Sequence, residues 1–113
     1  MLTSGDVVEL DLGTPAGREA GFRHSAVVVT AQEVLDELAN VIQVVPLTSA
    51  LREFGSEVRV TADAQNGLVA DSSAQCQHIR SVSTERVEAV RGNIGTAALA
   101  EIRRVLGLIL DVD

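Results

Sequence analysis

The stretch SAVVVT, residues 25–30, is a continuous apolar run with three adjacent valines. A short run of this kind is typical of a strand that is buried on both faces, so we expect residues 25–30 to form a central strand. The earlier segment GDVVELDL, residues 5–12, alternates instead, with Val8 and Leu10 on one side and Glu9 on the other. Alternation over this length predicts a half-buried strand.

The segment between these two strands, GTPAGREAGFR at residues 13–23, carries three glycines and one proline. It is too polar for a core, and we expect a mobile connection that opens onto the surface. After the central strand, the apolar positions of residues 32–38 have helical spacing. The segment is short and therefore predicts a single helical turn.

Further strands are predicted beyond this turn. Residues 41–47 are rich in β-branched side chains up to Pro46, which we place at the strand's end because proline cannot donate to a ladder. Residues 57–61 alternate as another strand, and Asn66-Gly67 is a strong turn signal. Residues 68–82 are interpreted as two further short strands.

The C-terminal segment predicts an amphipathic helix with Thr96 as its N-cap. Its apolar stripe consists of Leu99, Ile102, Leu106, Ile109 and Leu110. A stripe of this kind packs against a sheet. Strands followed by one helix, without a linker or a repeat, indicate a single α+β, mainly β domain over residues 1–113 that is compatible with a small curled barrel.

The composition limits the core and the cellular compartment. Apolar residues make up 46% of the 113 residues, but the aromatic residues are only two Phe, so the core must be built from Val, Leu, Ile and Ala. No apolar run approaches the roughly 18 residues of a membrane span, and the N-terminal segment lacks the order of a signal peptide. We therefore expect a cytoplasmic protein.

Metal and cofactor sites are not indicated. Cys76 is the only cysteine, and His24 and His78 are the only histidines. These residues do not have the spacing of a zinc site, and nothing near Cys76 except His78 would activate a thiolate. We expect no metal, no cofactor and no catalytic cysteine.

The formal net charge of −7 counts against nucleic-acid binding, because proteins that grip phosphates usually present a basic field. The charge is a global count, however, and a site can be locally basic. The chain has no lysine, and arginine is the side chain suited to bidentate phosphate contacts. Nucleic acid is therefore not excluded as a ligand.

Four parts of the chain together resemble the MazF/PemK family of toxins. They are GDVVELDL (5–12), GREAGFRHSAVVV (17–29), VIQVVPLTS (41–49), and the pair NGLVADSSAQ (66–75) and QHIRSVSTER (77–86). Members share a Gly-Asp/Glu strand, a Gly-x-Glu loop, an Arg-Pro-Ala-Val-Val strand, a Pro-x-Thr-Ser strand end and a Gln-Ile-Arg-Ser/Thr segment. No single piece is specific, but the ordered series covers nearly the whole chain.

The resemblance implies an SH3-like small barrel of twisted antiparallel strands, of the CcdB/PemK type, with a C-terminal helix. It also implies a homodimer whose groove holds single-stranded RNA, which is cleaved without metal by attack of its own 2′-hydroxyl. A cognate antitoxin blocks this groove in the family. The expected partners are therefore single-stranded RNA, an antitoxin protein and a second copy of the chain, and not a membrane.

The family's catalytic positions carry over residue by residue. Glu19 matches the loop glutamate, and Thr48 matches the threonine of Pro-x-Thr-Ser, with Ser49 next to it. Counting from Glu19, the family arginine falls on His24, while Arg23 stands one residue earlier. The candidate catalytic residues are therefore Arg23, His24 and Thr48, and which of Arg23 and His24 takes the arginine's role stays open.

The family's Ile-Arg-Ser segment carries over to residues 79–81. Gln77 and His78 occupy the two positions before it, which members often fill with an acidic residue and Gln. These side chains read bases in the family, so His78 is expected to alter the base that is read. The candidate substrate-binding residues are Glu19, Ser49, Gln77, His78 and Arg80.

Simpler interpretations remain open for the same residues. Arg23 and His24 would otherwise be a solvated loop end, Thr48 an ordinary strand residue and His78 a partly buried, hydrogen-bonded histidine. At the level of function, the alternative is a toxin of the same fold that only binds protein, as CcdB-type toxins do with DNA gyrase. A third hypothesis is a degenerate barrel that only binds an antitoxin.

Overall fold

The computed structural model describes residues 1–13, 23–37 and 39–112. Its strands are β1 (Asp6–Asp11), β2 (Arg23–Val28), β3 (Val41–Thr48), β4 (Glu57–Val60), β5 (Ser72–Gln75), β6 (Arg80–Ser83) and β7 (Val87–Asn93). The helices are α1 (Gln32–Asp36) and α2 (Gly95–Leu110), and single 3-10 turns span Cys76–His78 and Thr84–Arg86. The expected mobile connection lies almost entirely outside the described residues, and β2 begins at its last position.

All strand pairs are antiparallel, and the strands follow the order β4-β5-β3-β2-β1-β7, with β6 paired to β3. The expected central strand is confirmed, because β2 lies between β1 and β3. The mainly β antiparallel sheet with a C-terminal helix is the fold that the sequence predicts. Within the described ranges the end strands β4 and β7 do not pair with each other, so the curled sheet remains open.

The turn after β4 lies against β7 and brings the two ends of the sheet together. The backbone N–H of Asn93 donates to the carbonyl oxygen of Gln65 at 2.9 Å. Gly67, the glycine of the predicted turn, has φ of +67°, and a Cβ atom there would lie 2.3 Å from the carbonyl oxygen of Arg91. Only glycine allows this approach.

Buried side chains form two clusters on the two faces of the sheet. Helix α2 covers one cluster through Leu99, Ile102, Val105 and Leu106, and α1 adds Leu35 to the other. The expectation that β1 is half-buried was wrong at its start, because Val7 and Val8 are both fully buried, one in each cluster. Alternation fails there because both faces of the sheet are covered.

Strand β3 divides its pairing between two neighbours. Val41 to Val44 pair with β6, whereas Leu47 and Thr48 pair with β5. Pro46 lies between these two regions and inside the strand, so its predicted place at the strand's end was wrong. Because only the β2 side of the strand is paired at this position, a proline is tolerated there. This division of β3 is called the fork below.

The C-terminal helix is confirmed, but two details differ from expectation. Its N-cap is Ile94 and not Thr96, because the Asn93 side chain already accepts a hydrogen bond from the N–H of Gly95 at 2.8 Å. The apolar stripe is also shorter than predicted, since Ile109 and Leu110 extend past the sheet and are exposed. No helix in the described ranges is long and apolar enough to cross a membrane.

Candidate active site

A pocket of about 350 Å³ opens at the fork of β3. Its lining consists of Leu10, Leu12, His24, Ala26, Val44, Pro46, Gln75, His78 and Arg80. The apolar members form a floor that continues the cluster of Val8, Val28 and Ile42. The polar members come from four different elements, namely β2, β5, the 3-10 turn and β6, so the pocket has an apolar floor and a polar rim.

The register of the sheet explains why these residues meet. Leu10 pairs with His24, Ala26 pairs with Pro46, and Val44 pairs with Arg80. Directly opposite residues of antiparallel strands project to the same face, and residues two apart on one strand do so as well. The three pairs therefore share one face, which becomes the wall and floor of the pocket.

His78 reaches the pocket from the 3-10 turn that spans the gap between β5 and β6. The N–H of Ile79 closes this turn by donating to the carbonyl oxygen of Cys76 at 3.2 Å. Cys76 is fully buried and fixes one end of the turn in the core, whereas His78 is exposed. Across the pocket, His24 is partly exposed, with Nδ1 3.4 Å from the carbonyl oxygen of Ser25.

The local charge of the pocket differs from that of the whole chain. No carboxylate is among the described residues that line it, and Arg80 supplies a cation. A second cavity, of about 460 Å³, contains Asp11, Glu85 and Glu88. The described lining of the pocket is therefore less acidic than the chain as a whole, and it can accept an anionic ligand.

Arg23 is not among the residues that line the pocket. It pairs in the sheet with Asp11, one position away from the pair that carries His24. Its guanidinium forms an ion pair with Glu88 of β7, a residue of the second cavity. Successive residues of a strand project to opposite faces. Of the two candidates for the family arginine, the structure therefore brings only His24 to the pocket.

Thr48 is the last residue of β3, and Ser49 follows it. Thr48 is two residues after Pro46 and so shares its face, and its hydroxyl oxygen accepts a hydrogen bond from the N–H of Ala50 at 3.1 Å. Ser49 follows the strand and is exposed. Neither residue lines the pocket. Glu19 lies outside the described residues.

Gln77 lies next to His78 but turns toward the interior. Its side-chain N–H donates to Glu57 Oε2 at 2.7 Å, and Arg52 donates to the same oxygen at 2.6 Å. Burial acts to raise the pKa of Glu57, but these hydrogen bonds outweigh it and hold the pKa below its ordinary value. Gln77 is therefore a partner of Glu57 rather than a lining residue.

The sequence reasoning overlooked Gln75, Pro46 and Glu57 as parts of this site. No local signal marked Gln75, because it reaches the pocket through the pairing of β5 with β3. No local signal marked Glu57, since its role depends on pairing between β4 and β5. Cys76 is fully buried, and burial raises the pKa of its thiol to about 11.

Comparison with known proteins gives consistent matches along the chain. Residues 3–110 match the family described as PemK-like, MazF-like toxin of type II toxin-antitoxin system. The chain is 34% identical over 116 residues to endoribonuclease MazF9 of Mycobacterium tuberculosis, covering 99% of this chain and 98% of that protein.

Solved structures show the same fold. A chain of the MazE-MazF crystal structure from Deinococcus radiodurans matches with a TM-score of 0.78 at 26% identity, over 97% of this chain and 96% of that chain. The Mycobacterium tuberculosis toxin MazF-mt6 matches with a TM-score of 0.75 at 18% identity, over 96% and 98% of the two chains. The protein belongs to the family of PemK-like, MazF-like toxins of type II toxin-antitoxin systems.

Proposed function

We propose that this toxin is a metal-independent endoribonuclease that cleaves single-stranded RNA in the cytoplasm and acts as a homodimer. The observation that carries the proposal is the pocket at the fork of β3, where His24, His78 and Arg80 converge without a carboxylate in the described lining. The name of the 34% identical relative, endoribonuclease MazF9, supports the same reaction.

The proposed reaction is transesterification within the RNA. The 2′-oxygen forms a bond to phosphorus, the bond from phosphorus to the 5′-oxygen breaks, and the products carry a 2′,3′-cyclic phosphate and a 5′-hydroxyl. A base must take the 2′-hydroxyl proton, an acid must protonate the 5′-oxygen, and a cation must stabilise the charge on the phosphate. All three needs can be met by imidazole and guanidinium groups.

We assign proton transfer to His24, because an imidazole can both accept and donate a proton near neutral pH. Arg80 is assigned to the phosphate, since a guanidinium remains charged and binds phosphate oxygens in a bidentate manner. His78 is assigned to reading a base. Thr48, on the same face as Pro46, and the neighbouring Ser49 are proposed to contact the RNA beyond the scissile bond.

A cognate antitoxin is the second proposed partner. The MazE-MazF structure from Deinococcus radiodurans joins a toxin of this fold to MazE, and we propose that an antitoxin occupies the pocket of this chain when growth continues. A toxin that only binds protein, as CcdB-type toxins do, is not favoured, because the relatives described above are named as MazF toxins or as an endoribonuclease.

The test is incubation of the purified chain with a long single-stranded RNA in excess EDTA. We expect discrete fragments with cyclic phosphate ends, and sequencing of the 5′-hydroxyl ends gives the cleaved sequence. His24→Ala, prepared in parallel, controls for a contaminating nuclease and should give almost no fragments. Intact RNA after long incubation with the folded wild-type protein would exclude the proposed reaction.

A further inference from the structure

The buried carboxylate of Glu57 lies directly behind the wall of the pocket. Glu57 pairs with Gln75 across β4 and β5, and Gln75 lines the pocket. Because cross-strand partners project to the same face, the Glu57 side chain is on the pocket's side of the sheet. Only 1% of that side chain is exposed, so it is withdrawn from any ligand in the pocket.

This carboxylate joins two segments that border the pocket. Glu57 Oε2 accepts from Gln77 Nε2 at 2.7 Å and from Arg52 at 2.6 Å. Gln77 belongs to the 3-10 turn that presents His78, and Arg52 belongs to the loop that follows Thr48 and Ser49. One charged group therefore ties the turn and the loop to strand β4.

The cluster is not what stability alone would produce. Glu57 Oε1 and Gln77 Oε1 are both buried and have no hydrogen-bond partner within the described ranges. Unpaired buried oxygens cost free energy, and a buried ion pair is often no more stable than apolar side chains of similar size. What the cluster does provide is geometry, because charge-assisted hydrogen bonds fix their partners in direction and distance.

We propose that Glu57 is a positioning residue for RNA recognition: its carboxylate holds the Gln77 turn and the Arg52 loop so that His78 and the Thr48 edge face the substrate together. The proposal rests on the proposed endoribonuclease function. Glu57 itself does not touch RNA. Loss of the carboxylate should therefore affect how the RNA is held and read more than the chemical step, which His24 and Arg80 carry on other strands.

The experiment uses Glu57→Leu, which removes both acceptor oxygens, and Glu57→Gln, which keeps one oxygen that Gln77 can donate to. Glu53→Gln is the matched control, because Glu53 is exposed on the loop that carries Arg52 and its substitution removes the same charge. Two readouts are taken: residue-resolved hydrogen exchange of the Ile79 N–H, which closes the turn, and kcat and KM on an RNA oligonucleotide containing the cleaved sequence.

We expect Glu57→Leu to lose protection at Ile79 and to raise KM about tenfold, the scale expected when hydrogen bonds to a charged group are lost, with a much smaller change in kcat. Glu57→Gln should recover much of the protection, and Glu53→Gln should match the wild type. Unchanged Ile79 exchange and unchanged KM in Glu57→Leu would overturn the proposal. So would a lower kcat at unchanged KM together with a lower Tm, because that pattern indicates only a smaller folded fraction.

The two readouts also separate this proposal from the proposed function. If the wild-type protein cleaves no RNA, the endoribonuclease proposal fails. The exchange measurement still decides whether Glu57 fixes the turn: preserved protection in Glu57→Leu overturns the positioning role in that case as well, and lost protection with recovery in Glu57→Gln supports it.

Discussion

His24 and Arg23 are adjacent in β2 but lie on opposite faces of the sheet. His24 lines the pocket together with Arg80, whereas Arg23 forms an ion pair with Glu88 of β7. This arrangement follows from the alternation of a strand. Only His24 lies at the pocket, which gives the two side chains different expected roles.

We expect His24→Ala to lower kcat by about 10²-fold or more, the usual scale for loss of a general acid or base. Arg23→Ala should change kcat by no more than about threefold, because Arg23 does not line the pocket and its exposed ion pair with Glu88 contributes little to the fold. Single-turnover cleavage of one oligonucleotide measures both. Loss of turnover in Arg23→Ala with normal turnover in His24→Ala would reverse the assignment.

His78 should control which base is read and not whether the RNA is cut. An imidazole offers one donor and one acceptor, whereas an amide offers both on one planar group that can pair with a base edge. We expect His78→Gln to move the cleavage sites in a mixed RNA while the total rate changes less than about tenfold. Sequencing of 5′-hydroxyl ends measures this, and identical sites with only a slower rate would contradict it.

Much of the fold follows from local patterns in the sequence. The central strand, the turn at Asn66-Gly67 and the terminal helix each carry a periodic or turn signal that the structure bears out. Strand β7 was not predicted, although Val87 and Ala89 alternate with exposed positions. Its pairing with β1 is a contact between distant parts of the chain, and the charged and small residues of β7 conceal it.

The site was less accessible to sequence reasoning, because it depends on register. His24, His78 and Arg80 were identified from family motifs, but their convergence requires that β3 divides its pairing at Pro46. A proline in a strand signals an edge or an end, and the sequence alone cannot distinguish these from a fork. The ion pair of Arg23 with Glu88 and the hydrogen bond of Gln77 to Glu57 are likewise set by tertiary contacts.

The proposed homodimer predicts the mass of the particle in solution. Light scattering should give about twice the chain mass of 11.9 kDa, a ratio that follows from closed twofold assembly. The measurement should be repeated down to micromolar concentration, since a weak dimer dissociates on dilution. A monomer that still cleaves RNA at full rate would show that the second copy is not required.

Glu57 should make stability sensitive to acid. Its pKa in the folded chain lies below the ordinary value of 4.5, so the folded state releases the proton more readily than the unfolded state. At pH values above 4.5 the carboxylate therefore stabilises the fold. This contribution is lost as the pH falls through the lower folded pKa.

Urea unfolding of the wild type and Glu57→Gln, measured from neutral pH to below pH 4.5, tests the effect. The wild type should exceed the variant in free energy of unfolding most at neutral pH, and the difference should shrink as the solution becomes acidic. Glu53→Gln controls for the general loss of one negative charge. A difference that grows toward acid would mean that the folded pKa of Glu57 is raised instead.

Cys76 should be chemically silent in the folded protein. The thiol is fully buried and its pKa is raised to about 11, so about one thiol in a thousand is ionised near pH 8, and the thiolate is the reactive form. We expect Ellman's reagent to label the folded chain only as fast as it opens, and to label one thiol per chain in denaturant. Because the proposed chemistry uses His24 and Arg80, iodoacetamide treatment that spares the fold should leave the cleavage rate unchanged. Fast labelling in native buffer, or loss of cleavage before any unfolding, would place the thiol at the active site and contradict both the burial and the mechanism.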